Sequence, residues 1–146
     1  MAVAILEGTH CGQTGSIPPM STFHHSDTVQ LPATDREALT RLERFGGTKL
    51  LHEMIALFLE TARDRLAAAA AGLDAGDAAA TENAMHSLKS SSAQLGALRL
   101  SRLCEQAETI ARGESLAGMA ALLDECRDEL ARVDAWLAGV RAEPTA

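Results

Sequence analysis

The chain reads AMHSLKSSSAQLGA over residues 84–97, and this stretch decides the fold. Small and apolar residues recur in it every three or four positions, which is the spacing of one buried helix face. That stripe consists of Met85, Leu88, Ser92 and Leu95. His86 lies about 150° from the stripe at about 100° per residue, so we expect its imidazole to project into solvent without a partner. The stretch therefore predicts an amphipathic helix that displays a histidine.

The neighbours of His86 on that helix face are small or polar. Residues three, four and seven positions apart share a face, which groups Lys89, Ser90 and Ala93 with the histidine. A neutral imidazole can attack phosphorus, and the ammonium group of Lys89 is placed to balance the negative charge that a phosphoryl group adds. We therefore predict His86 as a phosphoryl acceptor and Lys89 as the residue that balances the phosphoryl charge.

Each part of this pattern also has an ordinary structural interpretation. A lone exposed histidine or lysine on a helix is usually a solvated surface residue, and a run of serines can mark close packing between helices. The combination of an imidazole, an ammonium group and small neighbours favours group transfer, because each part then has a distinct role.

Composition and charge limit both fold and function. The 146 residues are 47% hydrophobic but only 3% aromatic and include no tyrosine, so a single core must be built from Ala, Leu and Met. The net charge of −7 argues against nucleic acid or an anionic membrane surface as a partner. No apolar run approaches the roughly 20 residues of a membrane span, and the first residues lack the basic leader of a signal peptide. We therefore expect a cytoplasmic location without direct membrane contact.

The cysteines and the remaining histidines do not form a metal-binding pattern. Cys11, Cys104 and Cys126 are far apart, and no CxxC pair occurs. Cys104 and Cys126 fall on apolar helix faces, so we predict them as small core residues. A metal-binding helical bundle that uses His52 or His86 with nearby carboxylates is a weaker alternative. We expect neither a metal nor a cofactor on this chain.

The chain divides into a loose start and a helical remainder. Residues 1–33 mix Gly, Thr, Ser, Pro and His without a helical or strand period, which predicts a flexible tail or linker. Helical patterns fill residues 34–140, and residues 141–146 are a predicted C-terminal tail. No segment alternates with period two. The predicted fold class is therefore all-α, an antiparallel up-down four-helix bundle with a short additional N-terminal helix.

Capping residues and glycines predict where the helices begin and end. A capping box at Thr34–Glu37 begins the short helix, and Gly46-Gly47 ends it. Its apolar positions are Leu39, Leu42 and Phe45. Asp77 is the predicted cap of the helix that carries His86, and Ser115 is the predicted cap of the last helix.

The motif resembles that of the histidine-containing phosphotransfer domain, which typically shows His-x-Leu-Lys-Gly-Ser-Ser-x-x-Leu-Gly-Ala followed by spaced Leu, Cys and Glu. Here it runs from His86 to Ala97 and is followed by Leu100, Leu103, Cys104 and Glu108. The resemblance covers about residues 35–139. It implies a relay in which a receiver-domain aspartyl phosphate passes its phosphoryl group to His86, which later passes it to an aspartate of another receiver.

The resemblance also implies the partners of the chain. These are response-regulator receiver domains and a hybrid sensor histidine kinase, with Mg²⁺ on the receiver and no kinase activity in this chain. The predicted docking surface for the receiver consists of Ala79, Glu82, Asn83, Ser90 and Ala93. The alternative is a module of the same fold that docks a receiver or kinase without carrying phosphate.

One position departs from the family pattern. Ser90 stands where the family usually has glycine, the residue that allows a receiver the closest approach. Serine is still small and adds a hydroxyl, so we expect activity to survive. Ser92 faces the core instead, and we expect its hydroxyl to bond back to the Leu88 carbonyl.

Overall fold

Four α-helices form the part of the chain that the computed structural model describes, residues 32–144. They are α1 (Arg36–Asp74), α2 (Ala78–Gln94), α3 (Leu98–Arg112) and α4 (Met119–Arg141). Each helix packs against the next, and α1 also packs against α4, so the four close a ring in chain order. Short turns at residues 75–77, 95–97 and 113–118 reverse the chain between them. The predicted all-α bundle is confirmed, while most of the predicted tail at 1–33 lies outside the described residues.

The short N-terminal helix is the first segment of α1. Gly47 interrupts α1 with a non-helical backbone (φ 81°, ψ 174°), which is where the Gly46-Gly47 pair predicted a break. The predicted cap was one residue early, because Asp35 has the extended backbone of an N-cap and its carboxylate accepts a hydrogen bond of 3.0 Å from the Glu37 amide. Leu39 is buried as predicted, but Phe45 is 87% exposed.

The predicted N-cap of α2 is found in the structure, whereas the predicted N-cap of α4 is not. The Asp77 carboxylate accepts a hydrogen bond of 3.1 Å from the Ala80 amide, so the predicted cap of α2 is confirmed. Ser115 accepts from the Ala117 amide at 3.2 Å and so caps a turn ahead of α4. The helix itself begins only at Met119, because Gly118 adopts a left-handed backbone (φ 84°) that a helix cannot include.

The core lies between the four helices and is made of Leu, Ala, Met, Val, Ile, Cys and one Phe. The stripe predicted for α2 is buried throughout: Met85, Leu88, Ser92 and Leu95. Cys104 and Cys126 are buried as predicted, and contact with Cys126 together with burial raises the pKa of the Cys104 thiol. The prediction that the Ser92 hydroxyl bonds to the Leu88 carbonyl is wrong. The Ser92 hydroxyl oxygen is buried without a partner among residues 32–144, while the neighbouring Ser91 hydroxyl lies 3.2 Å from the Leu88 carbonyl.

None of the helices in residues 32–144 has the length and apolar character needed to cross a lipid bilayer.

The turn after α2 fixes the end of that helix against the start of α1. Gly96 has a positive φ of 76°, and its carbonyl accepts a hydrogen bond of 2.7 Å from the Asp35 amide. A Cβ atom added at Gly96 would overlap the Asp35 carbonyl oxygen. A Cβ atom added at Gly76, which also has a positive φ, meets nothing within 4 Å. Glycine is therefore required at position 96 both for its conformation and for a close approach of two backbones.

We expect Gly96→Ala to lower the free energy of unfolding by about 3 kcal/mol and Gly76→Ala by about 1 kcal/mol. Both variants force alanine into a left-handed conformation, and only the first also meets a backbone oxygen. Urea unfolding followed by circular dichroism measures the difference. Equal losses would show that the contact between Gly96 and Asp35 relaxes without strain.

Candidate functional site

His86 lies in the middle of α2 with 60% of its side chain exposed. Its Nδ1 atom is 2.8 Å from Oε1 of Glu108, which α3 presents to the flank of α2. The prediction of an exposed histidine is confirmed, but the prediction that it has no partner is wrong. The contact was not visible in the pattern of α2 because the partner comes from the neighbouring helix.

The contact with Glu108 determines which nitrogen of the ring is free. An ionised carboxylate only accepts hydrogen bonds, so Nδ1 of His86 must carry a proton and donate it. In the neutral ring the lone pair then resides on Nε2. Nε2 makes no hydrogen bond with any residue of the described range 32–144. The ring therefore has one nitrogen held by Glu108 and one nitrogen, Nε2, that is free of hydrogen bonds to these residues.

Glu108 is a buried carboxylate with three partners. Its side chain is only 1% exposed. Oε1 accepts from His86 and also from Nη2 of Arg112, while Oε2 lies 2.6 Å from Nζ of Lys89. The Lys89 ammonium holds the pKa of Glu108 below its ordinary value, with smaller contributions from His86 and Arg112, although burial alone would raise it. Glu108 is therefore an anion at neutral pH.

Lys89 and Arg112 bind different oxygens of this carboxylate. Lys89 is 28% exposed and forms an ion pair with Glu108. Arg112, in the last turn of α3, is 57% exposed and also binds Oε1 of Glu82 through Nε at 2.6 Å. The Glu82 carboxylate, and secondarily Glu108, raises the pKa of Arg112. His86, Lys89, Glu108, Arg112 and Glu82 thus form one connected group, which we call the Glu108 cluster.

The residues predicted for docking share the outer face of α2 with His86. Those that are exposed are Ala79, Asn83, Ser90 and Ala93. Glu82 is half-buried, and its carboxylate is occupied by Arg112. The Ser90 hydroxyl lies 3.3 Å from the backbone carbonyl of His86, so it is directed along the helix rather than outward. The exposed residues predicted for docking therefore all have short side chains.

Sequence reasoning missed Glu108 and Arg112 as members of the site. A signal for Glu108 was present, because it lies on the apolar face of α3 between Ala107 and Ala111. A carboxylate at a core position needs partners, since burial of an unpaired charge is very unfavourable. Arg112 gave no such signal, because an arginine in the last turn of a helix is an ordinary surface residue.

The described residues 32–144 contain no group of three or more His, Cys, Asp or Glu side chains that could hold a metal ion. His52 lies on α1, and no hydrogen bond or ion pair joins it to the Glu108 cluster. Within residues 32–144, the structure therefore does not bring His52 and His86 together.

Comparisons with known proteins give a family and a similar structure. The family model of the Hpt domain matches residues 53–136, a range that contains the whole Glu108 cluster. The crystal structure of histidine-containing phosphotransfer protein B (HptB) from Pseudomonas aeruginosa PAO1 is similar to this chain, with 28% sequence identity and a TM-score of 0.73. The match covers 78% of this chain and 98% of that chain. No match is found among curated protein sequences.

The lowered pKa of Glu108 leads to a prediction for acid stability. The stabilisation from its ionised form is complete above the ordinary value of 4.5 and is lost as the pH falls through the lower folded-state value. We expect Glu108→Gln to lower the free energy of unfolding by about 2 kcal/mol at neutral pH, because charged hydrogen bonds are lost. The variant should lose less further stability than the wild type on acidification.

Thermal melts of the wild type and Glu108→Gln, recorded at a series of pH values from neutral to acid, measure this difference. The matched control is Glu105→Gln, since Glu105 is an exposed glutamate one turn earlier on α3. The control should keep the acid dependence of the wild type. If Glu108→Gln has that dependence too, Glu108 is not the ionised residue at the centre of the cluster.

Proposed function

Because the chain belongs to the Hpt domain family, whose function is histidine phosphotransfer in two-component phosphorelays, we propose that His86 is the residue that carries the phosphoryl group. The chain is a phosphocarrier and not a kinase. One observation carries the assignment of the residue. Nδ1 of His86 is bound to Glu108, Nε2 makes no hydrogen bond within the described residues, and most of the side chain is exposed.

The proposed chemistry is a transfer between a carboxylate and an imidazole. The lone pair of Nε2 attacks the phosphorus of an aspartyl phosphate on a receiver domain, and a nitrogen–phosphorus bond forms as the bond from phosphorus to the aspartate oxygen breaks. The aspartate leaves as a carboxylate. Nδ1 keeps its proton, and Glu108 balances the positive charge that the imidazole ring gains. The reverse sequence delivers the phosphoryl group to another receiver.

Lys89 is the proposed counter-charge for the phosphoryl group. Its ammonium lies one helical turn from His86 and is held there by Glu108 at 2.6 Å. An ammonium group has three N–H donors, so it can bind Glu108 and still donate to a phosphoryl oxygen. Its partial exposure keeps this interaction weak, of the order of 1 kcal/mol, which suits a group that must leave again.

Hpt domains interact with receiver domains, and we assign the receiver contact to the outer face of α2. The proposed contact residues are Ala79, Asn83, Ser90 and Ala93, with Glu82 at the edge. Their small side chains allow a receiver to bring its aspartate to Nε2. The proposed partners are response-regulator receivers and the receiver of a hybrid sensor histidine kinase, acting in the cytoplasm with Mg²⁺ on the receiver.

The assignment of the nucleophile can be tested in cells in which the upstream kinase is active. Intact mass at neutral pH should show one added phosphate on the wild type and on His52→Gln, but none on His86→Gln. The phosphate should be lost after brief acid treatment and retained in alkali, because protonation of the ring weakens the nitrogen–phosphorus bond. His86→Gln should still give a folded helical protein, since the ring is largely exposed.

Two results would contradict this assignment. Phosphate that accumulates on His86→Gln places the acceptor elsewhere, and phosphate that survives acid indicates a serine such as Ser90. Complete absence of phosphate from the wild type, combined with tight receiver binding, would favour a docking module that carries no phosphate.

The docking surface is tested by adding bulk beside His86. We expect Ala93→Trp to weaken binding of a receiver by more than about tenfold, equivalent to 1.4 kcal/mol, because the indole would occupy the space that the receiver must enter. The matched control is Ala121→Trp, since Ala121 is an exposed alanine on α4, across the ring of helices. Calorimetric titration measures both. Equal affinity of the two variants would place the interface elsewhere on the bundle.

A further inference from the structure

We infer that Arg112 is a positioning residue that sets the pH range in which His86 is neutral, an inference that rests on the proposed role of His86 as the nucleophile. Arg112 forms no hydrogen bond with the imidazole. It acts through Glu108, because Nη2 of Arg112 and Nδ1 of His86 bind the same oxygen, Oε1. Because the guanidinium and the imidazole share this oxygen, Arg112 reduces the negative charge of Glu108 that acts on the imidazole.

The need for such a residue follows from the carboxylate itself. An anion beside an imidazole favours the protonated ring, which has no lone pair on Nε2 and cannot attack phosphorus. Glu108 fixes the useful tautomer, but unopposed it would also extend the protonated form to higher pH. Glu82, which precedes His86 by one helical turn, adds a second negative charge on the same side.

Arg112 is the cation that contacts both of these carboxylates. Its Nε binds Glu82 at 2.6 Å while Nη2 binds Glu108. This fork geometry belongs to guanidinium, whereas a lysine ammonium is a single point of charge. With Lys89 on the other oxygen of Glu108, the cluster contains two carboxylates and two cations around His86. The site therefore gains an oriented imidazole without an excess of negative charge.

Within residues 32–144, the charged groups joined to this site by ion pairs come from α2 and α3. They are Glu82 and Lys89 on α2 and Glu108 and Arg112 on α3. Within residues 32–144, no charged side chain of α1 or α4 lies within ion-pair distance of the cluster. The nearby buried thiol of Cys104, in contact with Cys126 of α4, has a raised pKa and stays uncharged at neutral pH.

Arg112 and Glu82 form one ion pair, and either residue can be neutralised by substitution. Comparing the two variants separates an effect of charge on His86 from an effect of holding α3 against α2. Arg112→Gln removes a positive charge, so the pH midpoint of phosphorylation should move upward by about half a pH unit. Glu82→Gln removes a negative charge, so the midpoint should move downward. If Arg112 only braced α3 against α2, both variants would have the same effect. Arg112→Lys, which keeps the charge, should stay closer to the wild type than Arg112→Gln.

The experiment uses the full chain and two measurements. The first is the NMR titration of the His86 ring, assigned by the signal that is missing from His86→Gln. The second is the pH dependence of phosphorylation by phosphoramidate, a small nitrogen–phosphorus donor, relative to the wild type at each pH. Arg63→Gln is the matched control, because Arg63 forms an exposed ion pair of 2.8 Å between α1 and α4 with Asp134. It should leave both profiles unchanged.

Opposite shifts in Arg112→Gln and Glu82→Gln support the inference. Shifts of the same sign, or none, overturn it, whatever the thermal stabilities of the variants. The proposed function fails by a different result, namely absence of phosphate on His86 of the wild type. In that case the ring titration still decides the role of Arg112, since it requires no phosphoryl transfer.

Discussion

The contact between Glu108 and Nδ1 of His86 couples the imidazole ring to the packing of α3 against α2. A buried carboxylate is stable only with partners, and here each partner lies at the surface while the carboxylate lies beneath it. Lys89 and Arg112 compensate its charge, and His86 receives an orientation from it. The chemistry of an exposed side chain is in this way determined by a residue that solvent barely reaches.

The rest of the bundle keeps these two helices in register. Gly96 allows the turn after α2 to touch the start of α1, and Asp77 begins α2 at a defined residue. Thr81 adds a buried hydrogen bond of 3.1 Å from α2 to the Ala69 carbonyl of α1. With few aromatic residues in the chain, close approach of Ala, Gly and Thr replaces the filling of space by large rings. A shift of α2 along its axis would move His86 away from Glu108.

Much of this arrangement could be predicted from the sequence, and the failures have two causes. The period of the apolar residues gives the buried face of α2, and glycines give the breaks at Gly47 and Gly96. The caps of α1 and α4 were misplaced because several polar residues near a helix start can cap it, and only backbone angles decide among them. The exposure of Phe45, the unpartnered hydroxyl of Ser92 and the pairing of His86 depend on neighbouring helices. A pattern within one helix does not contain that information.

The hydrogen bond at Nδ1 also bears on the direction of transfer. If Nε2 is the nitrogen that accepts the phosphoryl group, as proposed, the contact of Nδ1 with Glu108 can persist in the empty and the loaded protein alike. This contact then requires no rearrangement between accepting and donating. Such a carrier has no preferred direction of its own. The net flow of phosphate would be determined by the relative abundance and occupancy of the receivers on either side, and a fall in the upstream signal would allow the same protein to drain them.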